Sequence, residues 1–307
     1  MTIPPVASGF PLPPLTSPVR TFGARTIDFS SRIAVMAIVN RTPDSFFDRG
    51  RTFALDRAVD AALAAASAGA DWIDIGGVKF APGPEVSAAE ELDRVLPVVQ
   101  AVAARSDVVI SVDTFRPEVA EACIAAGASV VNDTTGLQNP QLAELAASTG
   151  ATLVITHSLA RPRTAYAAPR YDDVVQSVVD FLRERIEVAM GLGVAESQII
   201  IDPGHDLNKN TLHSLEITRR FDEIARIGLP AIAAVSNKDF VGESIEAPRE
   251  ERGDASLAAA TACALFGARI VRMHDVPRSV QAMRMTEAIL GLREPRQLRH
   301  NMTDEND

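Results

Sequence analysis

Short apolar runs recur along the chain, and each ends on a polar residue. They read IAVMAIVN to Asn40, WIDIG with Asp74, VVISVD to Asp113, SVVND with Asn132, TLVITH to His157, QIIID to Asp202, AIAAVSNK to Lys238 and RIVRMH with Arg272 and His274. Runs of this length, rich in Val and Ile and bounded by turn residues, predict buried parallel strands. Between them lie segments such as ALDRAVDAALAAASAGA, VSAAEELDRVLPVVQAVAA and RPEVAEACIAAGA, whose apolar residues recur at i, i+3, i+4, the spacing of amphipathic helices. Several end on a glycine before the next strand (Gly69, Gly127, Gly150, Gly267), and the stretch from Tyr171 to Leu192 predicts the longest helix. This alternation predicts an α/β fold, a single-domain TIM (β/α)8 barrel with its chemistry at the C-terminal ends of the strands. An open, doubly wound sheet is the competing arrangement. It needs a Gly-rich phosphate loop after an early strand, whereas here the first strand runs into VNRTPDSF.

Boundaries follow from composition. Residues 1–18, rich in Pro and Ser, predict a flexible extension; residues 19–292 hold the barrel, with a short hairpin at 19–32 closing its floor; residues 293–307 form a polar tail. The chain has 307 residues, 47% of them hydrophobic and 23% charged, values of an ordinary globular protein. A net charge of -10 argues against nucleic acid or an anionic membrane as a partner. The N-terminus lacks a basic stretch followed by an apolar core, so a cytoplasmic location is expected. Cys123 and Cys263 fall in Ala-rich helical stretches and read as small buried hydrophobes.

The strand ends carry the candidate chemistry. Asp113, Asn132 and Asp202 follow apolar runs, and a carboxylate at the mouth of an apolar barrel is costly unless it accepts hydrogen bonds. Any one could simply cap the helix that follows. Three converging on one mouth offer acceptors and an amide to a flat heterocycle with several N–H donors. Lys238 and Arg272 add cationic donors suited to a carbonyl, a π face or a phosphate, and His274 stands two residues beyond Arg272.

At this point the motifs VNRTPDSFFDRG (40–50), GADWIDIGG (69–77), ISVDTFRPEVA (110–120), VVNDTTG (130–136), IDPGHDLNKN (201–210), SNKDFVGE (236–243) and IVRMHDV (270–276) resemble, in order, those of the dihydropteroate synthase family. That family joins a dihydropterin pyrophosphate to p-aminobenzoate and releases pyrophosphate. The resemblance implies pterin contacts at Asp113, Asn132, Asp202, Lys238 and Arg272, anion binding by Arg272 and His274, and a Mg2+ ligand at Asn40. Mg2+ would come only with the bound pyrophosphate, whose oxygens supply most of its ligands. It also implies a homodimer.

The departures from the family cluster in its loops. Where the family reads GGESTRPG, this chain has Val78, Lys79, Phe80 and Ala81 after Gly77, which removes an arginine. The loop after the first strand carries Arg41, Phe47 and Arg49 where smaller residues are usual. The family's D-P-G-F-G-F-G-K becomes Asp202-Pro203-Gly204-His205-Asp206-Leu207-Asn208-Lys209, so Leu207 replaces a Phe and two glycines are gone. S-R-K-S becomes Ser236-Asn237-Lys238-Asp239. In the family the last Ser lies at a helix N-terminus that receives the carboxylate of p-aminobenzoate. Asp239 there is expected to repel that carboxylate, by up to about 4 kcal/mol at 4 Å and an effective dielectric near 20, or to cap its own helix, and both can hold together.

The altered second-substrate site is therefore Val78, Lys79, Phe80, Ala81, Leu207, Asn237 and Asp239. The expected function is a folate-pathway synthase relative that keeps a pterin floor but is inactive or very weak as a synthase, with weak affinity for p-aminobenzoate or sulfa-type ligands. One alternative is a working synthase in which Lys79, Arg41 or Arg49 replaces the lost arginine. Another is a non-catalytic binding or scaffold protein.

Overall fold

The computed structural model describes residues 12–41, 50–160, 162–166 and 168–300. Phe47, Arg49 and the ends of the two terminal segments lie outside the described residues. Eight parallel strands, β3 (Ala34–Asn40), β4 (Trp72–Gly76), β5 (Val109–Asp113), β6 (Val130–Asp133), β7 (Thr152–Thr156), β8 (Ile199–Asp202), β9 (Ile232–Ala233) and β10 (Ile270–Met273), follow one another around a barrel. Ladders join β3 through β8 in order and run β9–β10–β3; a parallel bridge between Ile201 and Ala231 closes the last gap. An antiparallel hairpin, β1 (Val19–Phe22) and β2 (Arg25–Asp28), precedes them as expected.

Side-chain parity along the strands sorts the core into two layers. One set, including Val35, Ile73, Ile75, Ile110, Val112, Ile155, Ile201 and Val271, packs outward against the helices. The other parity fills the barrel with Ala34, Met36, Trp72, Val109, Val130, Val154, Ile200, Ile232 and Ile270, and the hairpin adds Phe22, Ile27 and Phe29 below them. Phe22 meets the Trp72 ring edge-on with centroids 4.8 Å apart. This apolar plug fills the lower barrel, so only its upper layers remain for polar groups.

The helices are α1 (Gly50–Ser67), α2 (Ala88–Ala103), α3 (Pro117–Ala125), α4 (Gln141–Thr149), α5 (Val174–Gly191), α6 (Thr211–Arg219), α7 (Phe221–Ala225), α8 (Asp239–Ile245), α9 (Gly253–Leu265) and α10 (Val276–Ile289). Local chemistry sets their ends. Ser87 caps α2, Asp173 caps α5 by accepting from Val175 N and Gln176 N, and Asp275 caps α10. The Asp173 cap starts α5 at Val174, three residues later than the sequence pattern predicts, and its 18 residues equal those of α1. Gly150 ends α4 in the left-handed conformation, φ 76°.

Residues 12–18 are more ordered than their composition predicts. Thr16 N–H donates to Gly228 O at 2.9 Å, and Leu15 packs on the inner core. No helix among the described residues is long and apolar enough to cross a membrane.

Candidate functional site at the barrel mouth

The inner parity that carries Trp72 and Ile270 low in the barrel brings Asp74, Ser111, Asn132 and Arg272 to its upper layer. Asp74, fully buried at 0% exposure, is the hub. It accepts from Ser111 Oγ at 2.7 Å, Asn132 Nδ2 at 3.1 Å and Arg272 Nε at 2.7 Å. Arg272 also donates to Asp113 Oδ2 at 3.3 Å. Burial opposes the charge on Arg272, but Asp74 and Asp113 more than restore it, and its pKa lies above the ordinary value. Burial, then repulsion from Asp74, drives Asp113 up to about 8. Asp113 is thus engaged by a cation rather than capping α3, whose N-cap is Arg116. The sequence reading names Asp74 at its strand end but assigns it no role; the signal for one is an acid set inside the apolar run WIDIG on the inward parity.

Asp202 and Lys238 form the neighbouring wall. Asp202 is buried and accepts from Gly204 N at 2.7 Å; burial raises its pKa against the opposing pull of Lys238. Lys238 donates to His205 O, and burial lowers its pKa. His157, by contrast, has the outward parity. Its ring meets Phe181 of α5 at 4.8 Å and takes a hydrogen bond from Lys209 Nζ to Nδ1 at 2.8 Å, so His157 does not face the mouth.

Between β9, β10 and α8 opens a cavity of about 270 Å³ lined by Asn40, Ser236, Asn237, Lys238, Arg249, Arg272 and His274, with Asp206 and Asp239 at its edge. Ser236 Oγ accepts the His274 backbone N–H at 3.1 Å and lies 2.8 Å from Nδ1. With the hydroxyl donating to Nδ1, Nε2 holds the ring proton as a donor. Burial, Arg272 and Arg249 push the His274 pKa down to about 4, so the ring is neutral at pH 7. No group of three or more His, Cys, Asp or Glu among the described residues could hold a metal alone. Asn40 offers one amide oxygen on the cavity wall, which fits Mg2+ only as the companion of a bound polyphosphate.

At the N-terminus of α8 the expected cap by Asp239 is not formed. Asp239 does not cap the helix: its carboxylate is 84% exposed, pairs with Arg252 at 2.9 Å and stands at the cavity edge. The carboxylate at the helix end belongs to Asp206, whose Oδ2 accepts from Asp239 N at 2.6 Å and Phe240 N at 3.3 Å. Asp206 Oδ1 takes a further bond from Ser214 Oγ at 3.0 Å. Asp206 and Asn208 stand where the family has glycines and keep left-handed backbone, φ 62° and 53°, as does Asn237 at 55°. Asp and Asn tolerate that conformation better than other side chains, so the loop's path survives the loss of the glycines. Its mobility does not follow. Asn208 Oδ1 accepts from Ser158 Oγ, Leu159 N and Ala160 N at 2.8–3.0 Å, and Lys209 Nζ reaches Gly204 O at 2.9 Å and Leu207 O at 3.0 Å. His205, fully buried, stacks between Phe221 and Phe240 with centroids 6.3 and 5.6 Å away.

The loop after β4 is also fastened. Arg94 Nη1 donates to Gly77 O at 2.6 Å, Arg116 to Val86 O, and Arg163 to Ala81 O at 2.6 Å and Pro84 O at 3.0 Å. Val78 and Phe80 thereby close over Asp113, leaving a space of only about 20 Å³. Lys79 and Ala81 are exposed and do not line the larger cavity. Arg41 donates to Asp93 O at 2.9 Å, away from it. Neither Lys79 nor Arg41 therefore lines that cavity.

Residues 36–274 match the family of pterin binding enzymes. The chain is 41% identical over 272 residues to Inactive dihydropteroate synthase 2 of Mycobacterium leprae, covering 87% of this chain and 94% of that protein. It is also 41% identical over 261 residues to Dihydropteroate synthase of Escherichia coli K12, covering 85% and 93%. The protein belongs to the dihydropteroate synthase family. A solved structure of the family, the Xanthomonas albilineans synthase with 4-aminobenzoic acid, superposes with a TM-score of 0.83 at 37% identity, covering 89% of this chain and 98% of that one. Both an inactive and a plainly named synthase thus lie at similar identity, so the distinction rests on the loops rather than on overall likeness to the family.

Proposed function

We propose that this protein binds a pterin through Asp113, Asn132, Asp202, Lys238 and Arg272 and is inactive or very weak as a dihydropteroate synthase. The carrying observation is the Asp206 carboxylate on the backbone N–H groups of Asp239 and Phe240. By the family resemblance those groups receive the carboxylate of p-aminobenzoate. An acceptor must displace a half-buried carboxylate of the chain itself, and like charges cannot share two donors. The fastened loops after β4 and β8 support the same reading, because a site that is already locked cannot close around two substrates.

In this reading the pterin's N–H donors take over Asp113 and Asp202, while Asn132, held by Asp74, meets its ring edge. Arg272 provides a cationic plane, and His274, Ser236 and Asn40 face the pyrophosphate. Mg2+, held by Asn40 and phosphate oxygens, would neutralise part of that charge. A homodimer in the cytoplasm completes the proposal; Met285 and Ile289, exposed one turn apart on α10, offer it an apolar patch. The names of the Mycobacterium relatives accord with inactivity.

The test is pyrophosphate release by purified protein with the pterin pyrophosphate, p-aminobenzoate and Mg2+, alongside calorimetry with the pterin substrate. Release at least about a hundredfold below an ordinary synthase is expected, the equivalent of ~2.7 kcal/mol, with measurable pterin binding. Turnover within about tenfold of an ordinary synthase would leave the working-enzyme reading standing instead.

A further inference from the structure

The barrel mouth is rich in arginine, yet almost every guanidinium there is already engaged. Arg41, Arg94, Arg116, Arg163 and Arg252 donate to backbone carbonyls. Arg272 is matched by Asp74 and Asp113. Lys238 sits in the field of Asp206 and Asp202, and Asp239 is matched by Arg252. One cation lining the cavity differs. Arg249 is exposed and, among the described residues, makes no hydrogen bond or ion pair. Its segment is nonetheless built: Arg249–Glu251 form a 3-10 turn behind Pro248, and Arg252 fixes both sides by donating to Ala247 O at 3.1 Å and Asn237 O at 3.1 Å.

We infer that Arg249 is an anion-binding residue of this cavity and grips the phosphate or diphosphate of its ligand in place of the arginine missing after β4. The inference rests on the pterin reading for the rest of the ligand, but not for the anion itself. Three donors line the cavity: the Arg249 guanidinium, the Arg272 guanidinium and the His274 imidazole. The excess positive charge resides on Arg249, because the other cations of the cavity face carboxylates. A guanidinium is the group that binds phosphate oxygens two at a time, and a partnerless one loses no existing contact on doing so.

Calorimetry with inorganic pyrophosphate and Mg2+ on the full chain tests this, with neutral 6-hydroxymethylpterin as the second probe. R249A is expected to weaken pyrophosphate binding by about tenfold or more and to flatten its salt dependence, with an unchanged melting temperature. R249K is expected to fall between, keeping the charge without the fork. Binding of the neutral pterin is expected to stay within about twofold. Equal pyrophosphate affinity in wild type and R249A overturns the inference. So does a wild type that binds the neutral pterin but no pyrophosphate at millimolar concentration. A wild type that ignores the neutral pterin overturns the pterin reading instead, while the pyrophosphate comparison still decides the role of Arg249.

Discussion

Asp206 is the residue on which acceptor binding turns in the proposed function. Asp206→Ala removes a helix cap, at a cost of about 1 kcal/mol, and lowers the melting temperature by roughly 2–4 °C. The same change frees Asp239 N and Phe240 N, so p-aminobenzoate should bind about tenfold more tightly or better by calorimetry. Unchanged affinity would remove Asp206 as the cause of a weak acceptor site. Sequence reading located the helix end but not the acid that caps it. Asp239 is adjacent in sequence, whereas Asp206 comes from 33 residues away, and no local pattern announces which carboxylate the fold will deliver. Asp74 is visible at its strand end but is given no role there, because it lies inside an apolar run; Arg249 escapes notice in a segment without periodicity.

At the level of elements, two of the loops around the mouth are braced. The loop after β4 hangs on three arginine side chains, and that after β8 on Asp206, Asn208 and Lys209. Arg163→Ala deletes the bonds to Ala81 O and Pro84 O while leaving the main-chain pairing of Arg163 N with Phe80 O. Amide hydrogen exchange over residues 80–86 should then rise by about tenfold or more, with α5 unaffected, because local opening follows the loss of local bonds. Exchange that stays at the wild-type level would show that the Arg163 side chain does not brace the loop. Strands and helices were legible because their periodicity repeats eight times. The bracing was not, since an arginine's choice of carbonyl depends on packing between elements.

For the whole molecule, the barrel is a stable apolar base carrying an expensive polar top. Asp113 has a pKa near 8 when folded, against an ordinary value of 3.8. Between those limits the folded protein holds a proton that the unfolded chain has released, so stability falls as pH rises through the window. Asp113→Asn abolishes this slope. Its melting temperature, compared with wild type, should gain a few degrees between pH 5 and pH 8.5; parallel curves would place the Asp113 pKa in the ordinary range. The inward parity that unites Asn40, Asp113, Asn132, Asp202, Arg272 and His274 could be counted from the sequence. The same count turns His157 outward, a distinction that the pattern of strand ends alone concealed.

The bond from Asp206 to the end of α8 also has a kinetic and thermodynamic side. A carboxylate tethered beside its own donors acts at an effective concentration on the order of millimolar or more. Any free carboxylic acid therefore competes against a rival that never diffuses away and is never diluted. Raising the cellular supply of acceptor would fill such a site only where that supply outruns the tethered rival, so occupancy here is governed by the chain before it is governed by metabolism.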